Sequence, residues 1–261
     1  MPESADAVVV KRRTDAPPTF FAWEAAGPDW LRAAGGVDIV EVRDVGAHHI
    51  TLDRVDEHPA SGAAAEQLGR DLALTHSAGA ATFGAGPPDW TGDGFIGRQP
   101  LALQSFSTWG EFYARTRVLP YARAAQRVGN FDPDGVRLVE RVCTRLADGH
   151  FDDDRPPSRI HGDLWAGNVL YAGNDGAGGV RAVLIDPAAH GGHGLTDLAM
   201  LALFGTPYLS QVLGAYAEAA GLAAEWRELI GLHQLHPLLV HAVSHGAGYG
   251  RQACDVASGY A

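Results

Sequence analysis

The chain has 261 residues, enough for one large domain or two small ones sharing a cleft. Hydrophobic residues make up 46% of it, which excludes global disorder, and the formal net charge of −11 argues against a nucleic-acid or anionic-membrane partner. Two distant cysteines, Cys143 and Cys254, with no C-x-x-C, argue against a disulfide framework or a zinc site and fit a reducing compartment. With no signal-peptide pattern and no apolar run of spanning length, the expected location is the cytoplasm.

A β-branched run at residues 7–11 reads as a strand ending in Lys11. Asp15 and Pro17-Pro18 turn the chain into a helix over residues 19–34, closed by Gly35-Gly36. Strands follow at 37–43 and 48–55, so the chain begins strand, helix, strand, strand. Residues 56–62 are polar and turn-rich, a candidate hinge. Beyond it, helical spacing covers 63–77, 108–128 and 134–146. The Gly/Pro-rich stretch 84–100 between them reads as a long loop, a kind of segment that often carries function. Strands at 168–171 and 180–185 flank a Gly-rich loop and make a hairpin, followed by helices over 196–204, 208–220 and much of 226–244.

The segment IHGDLWAGNVLY, residues 160–171, sets Asp163 and Asn168 just before that hairpin, and Asp186 stands on its far side. A hairpin brings its outer ends together, so three oxygen-bearing side chains converge. Mg²⁺ prefers oxygen and binds through one or two carboxylates plus substrate phosphates. Phosphoryl transfer also needs a carboxylate to take the proton of the attacking hydroxyl. Asn168 and Asp186 suit the metal and Asp163 suits the base; their spacing is the D-x-x-x-x-N of a kinase catalytic loop. Such a site also needs a lysine on an early strand to hold nucleotide phosphates, and a glutamate on the next helix to hold the lysine. Lys11 and Glu24 occupy those places, and the order Lys11, Glu24, Asp163, Asn168, Asp186 is the kinase order.

HGDLWAGN resembles the catalytic loop of the fructosamine kinase (ketosamine 3-kinase) family. The resemblance extends through residues 20–31, 68–76, 109–125, 185–201 and 237–241. It implies an α+β, two-lobed fold similar to protein kinases and aminoglycoside phosphotransferases. A small nucleotide-binding lobe is expected over residues 1–55 and a larger, mainly helical catalytic and acceptor-binding lobe over 56–261. It implies ATP and Mg²⁺ as cofactors and a free or protein-bound ketosamine as acceptor, phosphorylated on a sugar hydroxyl. Adenine is expected at the linker, near Asp53, Arg54 and Val55. His161 orients the catalytic loop by hydrogen bonds. Trp165 packs either on the acceptor's sugar ring or in the core. Asp197 is read as a brace for backbone N–H groups. Alternatives are another small alcohol as acceptor, such as an aminoglycoside, or a nucleotide-binding protein with little transfer activity.

Only ten residues precede Lys11 and none is glycine. The two strands and Gly-rich lid that precede the lysine strand in kinase-like folds are therefore expected either upstream of this chain or not at all. Gly92-Asp93-Gly94-Phe95-Ile96-Gly97 fits G-x-G-x-x-G by letter, but it lacks the strand before it and the helix after it that a phosphate loop requires. It reads as a surface loop, and the family resemblance implies a place near the acceptor side of the cleft. The twelve histidines read as packing or acceptor-side residues rather than metal ligands.

Overall fold

The structure, a computed structural model, describes residues 7–173 and 179–261. Most of the Gly-rich hairpin loop and the first six residues, on which part of the lid question falls, lie outside the described residues.

In the small lobe, β1 (Val8–Arg12) leads through a turn to α1 (Phe20–Arg32), then to β2 (Asp38–Ile39), β3 (Val42–Gly46) and β4 (His49–Asp53). β4 is the centre of a three-stranded antiparallel sheet in the order β1-β4-β3. Its inward residues Ile50 and Leu52 are buried, and opposite them in register stand Lys11 and Val9. Directly opposed residues share a face, so Val9 and Lys11 face the same side as the Ile50–Leu52 pair. The single strand expected over 37–43 is instead two. The chain turns after Ile39, because β2 leaves the small sheet and pairs in parallel with a strand of the large lobe. Val40 continues that attachment by donating its N–H to Leu184 O at 3.0 Å. The apolar Val37, Ile39 and Val40 are buried by this docking.

The polar segment after β4 is strapped down rather than loose: His58 N–H donates to Tyr171 O at 2.7 Å and Glu57 bridges to Ala172. The large lobe then runs through α2 (Gly62–Ser77), the short hairpin β5 (Gly94–Ile96) and β6 (Gln99–Leu101), and α3 (Trp109–Phe112). A π-helical segment, Tyr113–Val118, joins α3 to α4 (Leu119–Arg127), and α5 (Pro133–Ala147) follows. α2 starts where the Ser61 hydroxyl accepts from Ala64 N–H, and α5 where the Asp132 carboxylate, just before Pro133, accepts from Gly135 N–H.

Next come β7 (Ser158–Ile160), a turn of 3₁₀-helix at Ala166–Asn168, β8 (Val169–Gly173), β9 (Val180–Leu184) and β10 (His190–Gly192). β8 and β9 form the expected hairpin, joined by β2 in the order β2-β9-β8, while β10 pairs with β7. Helices α6 (Leu195–Phe204), α7 (Leu209–Ala219), α8 (Ile230–His245) and α9 (Ala247–Ser258) complete the chain.

Alternation in the hairpin fixes its place between the lobes. Val169, Tyr171 and Leu184 face a core shared with α2, α6 and α7, while Ala172 and Val183 face Phe21, Val40, Ile50 and Leu52 of the small lobe. A third core, built on α4, α5, α8 and α9, backs the far side of the large lobe. Among the described residues no helix is long and apolar enough to cross a membrane.

Candidate active site

The catalytic-loop segment begins where β7 ends at Ile160. Its backbone is held by Asp197 at the start of α6, which is fully buried and accepts from His161 N–H at 2.8 Å and Gly162 N–H at 2.9 Å. Burial alone would raise this carboxyl, but His76, at 3.0 Å, His161 and the loop N–H groups outweigh it and hold Asp197 below its ordinary value. His76 is held in turn by the hydroxyl of Tyr216 at 2.8 Å. Gly162 sits at φ 80°, and a Cβ there would collide with the carbonyl of Ala188.

His161 is buried with both ring nitrogens engaged. Nε2 donates to Ile185 O at 2.9 Å and Nδ1 accepts from Asp163 N–H at 3.2 Å. That pattern defines the neutral tautomer, and burial keeps the ring's pKa low. His161 thus ties the loop to the residue before Asp186.

Asp163 is half-buried. Its carboxyl is pushed up to about 7, first by burial and then by the charge of Asp186, against the hydrogen bond from Asn168. Asn168 is buried and its amide nitrogen donates to Asp163 O at 2.8 Å and, more weakly, to Asp163 Oδ2 at 3.4 Å. Its Oδ1 accepts no hydrogen bond from any described residue. Asp186, two residues past the end of β9, adopts a left-handed backbone at φ 56°, an uncommon conformation for a non-glycine residue that recurs at functional sites.

Lys11 crosses the lobe boundary. Its ammonium donates to Glu24 Oε1 at 3.1 Å and makes a short contact with Asp186 Oδ1. Burial alone would lower the Lys11 pKa, but the two carboxylates outweigh it and the group is raised. Glu24 is also raised, because burial outweighs the lysine, which leans toward Asp186.

These side chains line two adjoining clefts. The first, about 370 Å³, lies between the lobes and contains Glu24, Asp163, Asn168 and Asp186, with Arg13, Phe20 and Trp23 on the small-lobe side. The second, about 650 Å³, extends from Asp163 into the large lobe toward Phe204, His241, His245 and Tyr249. Gly97, Arg98, Asp163 and Trp165 line both. The Trp165 indole is 44% exposed, which excludes the core reading, and it lies over Gly167, where a Cβ would run into the ring.

Thus Lys11, Glu24, Asp163, Asn168 and Asp186 come together at one place, although 175 positions separate Lys11 from Asp186. Asp53, Arg54 and Val55 do not join them directly. They line a separate cleft of about 360 Å³ beside Val40, Ala172 and Val183. Asp53 is engaged bidentately by Arg43 at 2.6 and 2.8 Å, and Arg54 N–H donates to Ala7 O at 2.9 Å. The strand β1 connects the two places, since Val8 pairs with Asp53 at one end and Lys11 lies at the other.

The GDGFIG stretch is not a structureless loop: Gly94–Ile96 is β5, and its turn roofs both clefts, with Trp23 Nε1–H donating to Phe95 O at 2.8 Å. Sequence reasoning did not single out Arg98, Phe20, Arg13 or His76. The long loop between α2 and α3 was the signal for Arg98; nothing local marked the others. His76, His190, His193, His233, His236, His241 and His245 pack against other rings, as where His233 stacks on Trp109 at 4.3 Å between centroids. Among the described residues no cluster of three or more His, Cys, Asp or Glu could hold a metal alone.

The sequence profile of the fructosamine kinase family matches residues 1–258. Over 242 residues the chain is 31% identical to the probable ketoamine kinase of Thermus thermophilus, an alignment covering 92% of this chain and 82% of that protein. It is 33% identical over 191 residues to the probable ketoamine kinase of a Synechocystis strain, covering 72% of this chain but 59% of that protein. Its structure superposes on a Thermobifida fusca protein assigned as a fructosamine-3-kinase with a TM-score of 0.87 and 48% identity, covering 97% of this chain and 85% of the other. The AMP-bound spectinomycin phosphotransferase, at 11% identity and a TM-score of 0.55 over 98% of this chain and 89% of that one, shares the fold alone. The architecture is therefore the two-lobed, protein-kinase-like α+β fold expected from the catalytic loop, and the chain belongs to the fructosamine kinase family of phosphotransferases.

Proposed function

We propose that this protein transfers the γ-phosphoryl group of ATP to a sugar hydroxyl of a ketosamine. One observation carries the reading. Asp163, its carboxyl pushed up to about 7, stands where the inter-lobe cleft, whose lining carboxylates Glu24 and Asp186 hold Lys11, meets a second, aromatic-walled cleft. A general base works best when its pKa lies near the operating pH, and it must reach donor and acceptor together.

In this reading the acceptor enters the second cleft with its sugar ring against Trp165, and Asp163 takes the proton of the attacking hydroxyl. His161 and Asp197 hold the loop so that Asp163 keeps its position. Lys11 binds nucleotide phosphate oxygens, steadied by Glu24. Lys11 also pairs with Asp186, so the phosphates compete with Asp186 for the lysine. Adenine then lies along β1 toward Asp53, Arg54 and Val55, over Val9, an exposed apolar residue (37%) on the Lys11 face of the strand.

The donor set fits Mg²⁺: Asn168 offers an uncommitted amide oxygen and Asp186 a carboxylate, and phosphate oxygens complete such a site. Bound there, the ion supplies neutralisation of phosphate charge.

The acceptor cleft favours a ketosamine over a polycationic aminoglycoside. Among the described residues, Asp163 is the sole carboxylate on its wall, whereas several ammonium groups would call for several carboxylates. The test is ADP release by the purified protein with Mg²⁺ and ATP, using fructosyl-lysine and kanamycin as acceptors, with phosphorus NMR of the product. Release dependent on fructosyl-lysine with a new sugar phosphate is expected; release on kanamycin alone would contradict the reading.

A further inference from the structure

The acceptor cleft divides by chemistry. One wall is aromatic: His241 stacks on His245 at 5.0 Å and 25°, and Phe204 and Tyr249 lie 4.6 and 5.1 Å from His241. His241 donates its Nδ1–H to Pro237 O at 2.8 Å, and burial, with His245 beside it, lowers its pKa, which favours the neutral ring of His241. With the Trp165 indole this wall offers π-faces to a cation. Across from it the turn of β5 and β6 carries Arg98, the one permanently charged cation among the described residues lining this cleft.

Arg98 is unusual in what it lacks. It is exposed, and among the described residues it makes no hydrogen bond and no ion pair. Asp15 feels its charge, but Asp15 is engaged first by Arg13 at 3.2 Å. Gly97, at φ 54°, makes the tight turn that presents Arg98 over the clefts. A planar fork of N–H donors held at a cleft mouth with no protein acceptor is suited to an oxyanion.

Two oxyanions could meet it: the transferring phosphoryl group or a carboxylate on the acceptor. The phosphate end already has Lys11, which Glu24 and Asp186 hold, and Arg13 at the rim. The acceptor end has no other fixed cation among its described residues. The charge layout therefore favours the acceptor. A ketosamine made from an α-amino acid carries a secondary ammonium group with a carboxylate on the neighbouring carbon. The aromatic wall and Arg98 match those two charges. A ketosamine on a protein lysine has no carboxylate near its nitrogen and would leave Arg98 without a partner.

Building on the ketosamine kinase reading, we propose that Arg98 is a specificity residue that binds the α-carboxylate of the acceptor. The preferred substrates are then ketosamines of free α-amino acids rather than of lysines in intact proteins.

The test uses two acceptors of nearly equal shape, the fructosyl derivatives of glycine and of glycinamide, which differ in one negative charge. Their dissociation constants are measured by calorimetry, which needs no turnover, together with KM and kcat. The wild-type protein is expected to bind the glycine derivative about 10-fold more tightly, the lower end for a charge-assisted hydrogen-bonded pair at an exposed group. The preference is expected to shrink as salt rises. Arg98→Gln is expected to bring the ratio near unity through KM, Arg98→Lys to restore part of it, and Arg251→Gln on the surface of α9 to leave it unchanged.

Equal binding of both acceptors by the wild type, or the same ratio in Arg98→Gln, would overturn the assignment while leaving the kinase reading intact. A fall in kcat on both acceptors with an unchanged ratio would also overturn it, placing Arg98 on the phosphoryl group instead. Failure to bind either ketosamine, alongside turnover of an unrelated alcohol, would overturn the ketosamine reading itself.

Discussion

Asp163 and Asp197 show how environment sets two carboxylates apart. Both lie near the loop, yet Asp163 is raised to about 7 while Asp197 is held low by His76 and two backbone N–H groups. A raised acid is protonated below its pKa and cannot take a proton there. We therefore expect kcat/KM to rise with pH along a single limb with an apparent pKa near 7, measured over pH 5 to 9; a rate flat down to pH 5 would contradict the base assignment. Asp197→Ala would strand two buried N–H groups and His76. It should cost about 3–5 kcal/mol in urea unfolding, the range for breaking a buried charged network. The HGDLWAGN pattern made Asp163 and Asn168 legible because spacing within one short loop is a local property. His76 was not legible, since its partner lies 121 positions away in sequence.

At the scale of elements, β1 and α1 exist to present Lys11 and Glu24 to one another across 13 positions. Glu24→Gln removes one ionic partner of Lys11 and should weaken nucleotide binding by about 10- to 100-fold, the equivalent of one charge-assisted hydrogen bond; titration with a non-hydrolysable ATP analogue would read it. The β8–β9 hairpin could be read from its alternating apolar residues around a Gly-rich stretch. Elements without such a pattern could not. β7 and β10 have three residues each, and β10 reads His-Gly-Gly. β6 contains Pro100, and α9 carries Gly248 and Gly250, poor helix formers. The π-helical turn at Tyr113–Val118 is invisible in a continuous helical pattern, yet it lies where Arg117 is buried against Phe112 and His190.

Over the whole molecule, a net charge of −11 coexists with a cleft lined by Arg13 and Arg98, with Lys11 held by two of its lining carboxylates, Glu24 and Asp186. The acidic surface is thus no obstacle to an anionic nucleotide, because local charge decides what enters. The pairing of β2 with β9 ties the small lobe to the hairpin that leads to Asp186, so the sheet carrying Lys11 and the hairpin before Asp186 are joined through β2. That joint could not be read from sequence, because a two-residue parallel pairing leaves no periodic signal.

The role proposed for Asp163 also opposes stability. Because folding raises the pKa of Asp163 above its ordinary value of 3.8, the folded state is favoured when this group is protonated. Its contribution is lost as pH rises from about 4 through 7. Asp163→Asn should therefore stabilise the fold at pH 8, by at most about 4 kcal/mol, the free-energy equivalent of the shift, and thermal unfolding would show it as a raised Tm.

The same variant gives the most direct measurement of the central claim: turnover of ATP with a ketosamine acceptor by Asp163→Asn, beside its affinity for the nucleotide. A fall in kcat of about 100- to 10,000-fold, the span typical of a lost general base, with nucleotide Kd unchanged, is the expected result. Turnover equal to that of the wild type would show that Asp163 does not take the acceptor's proton.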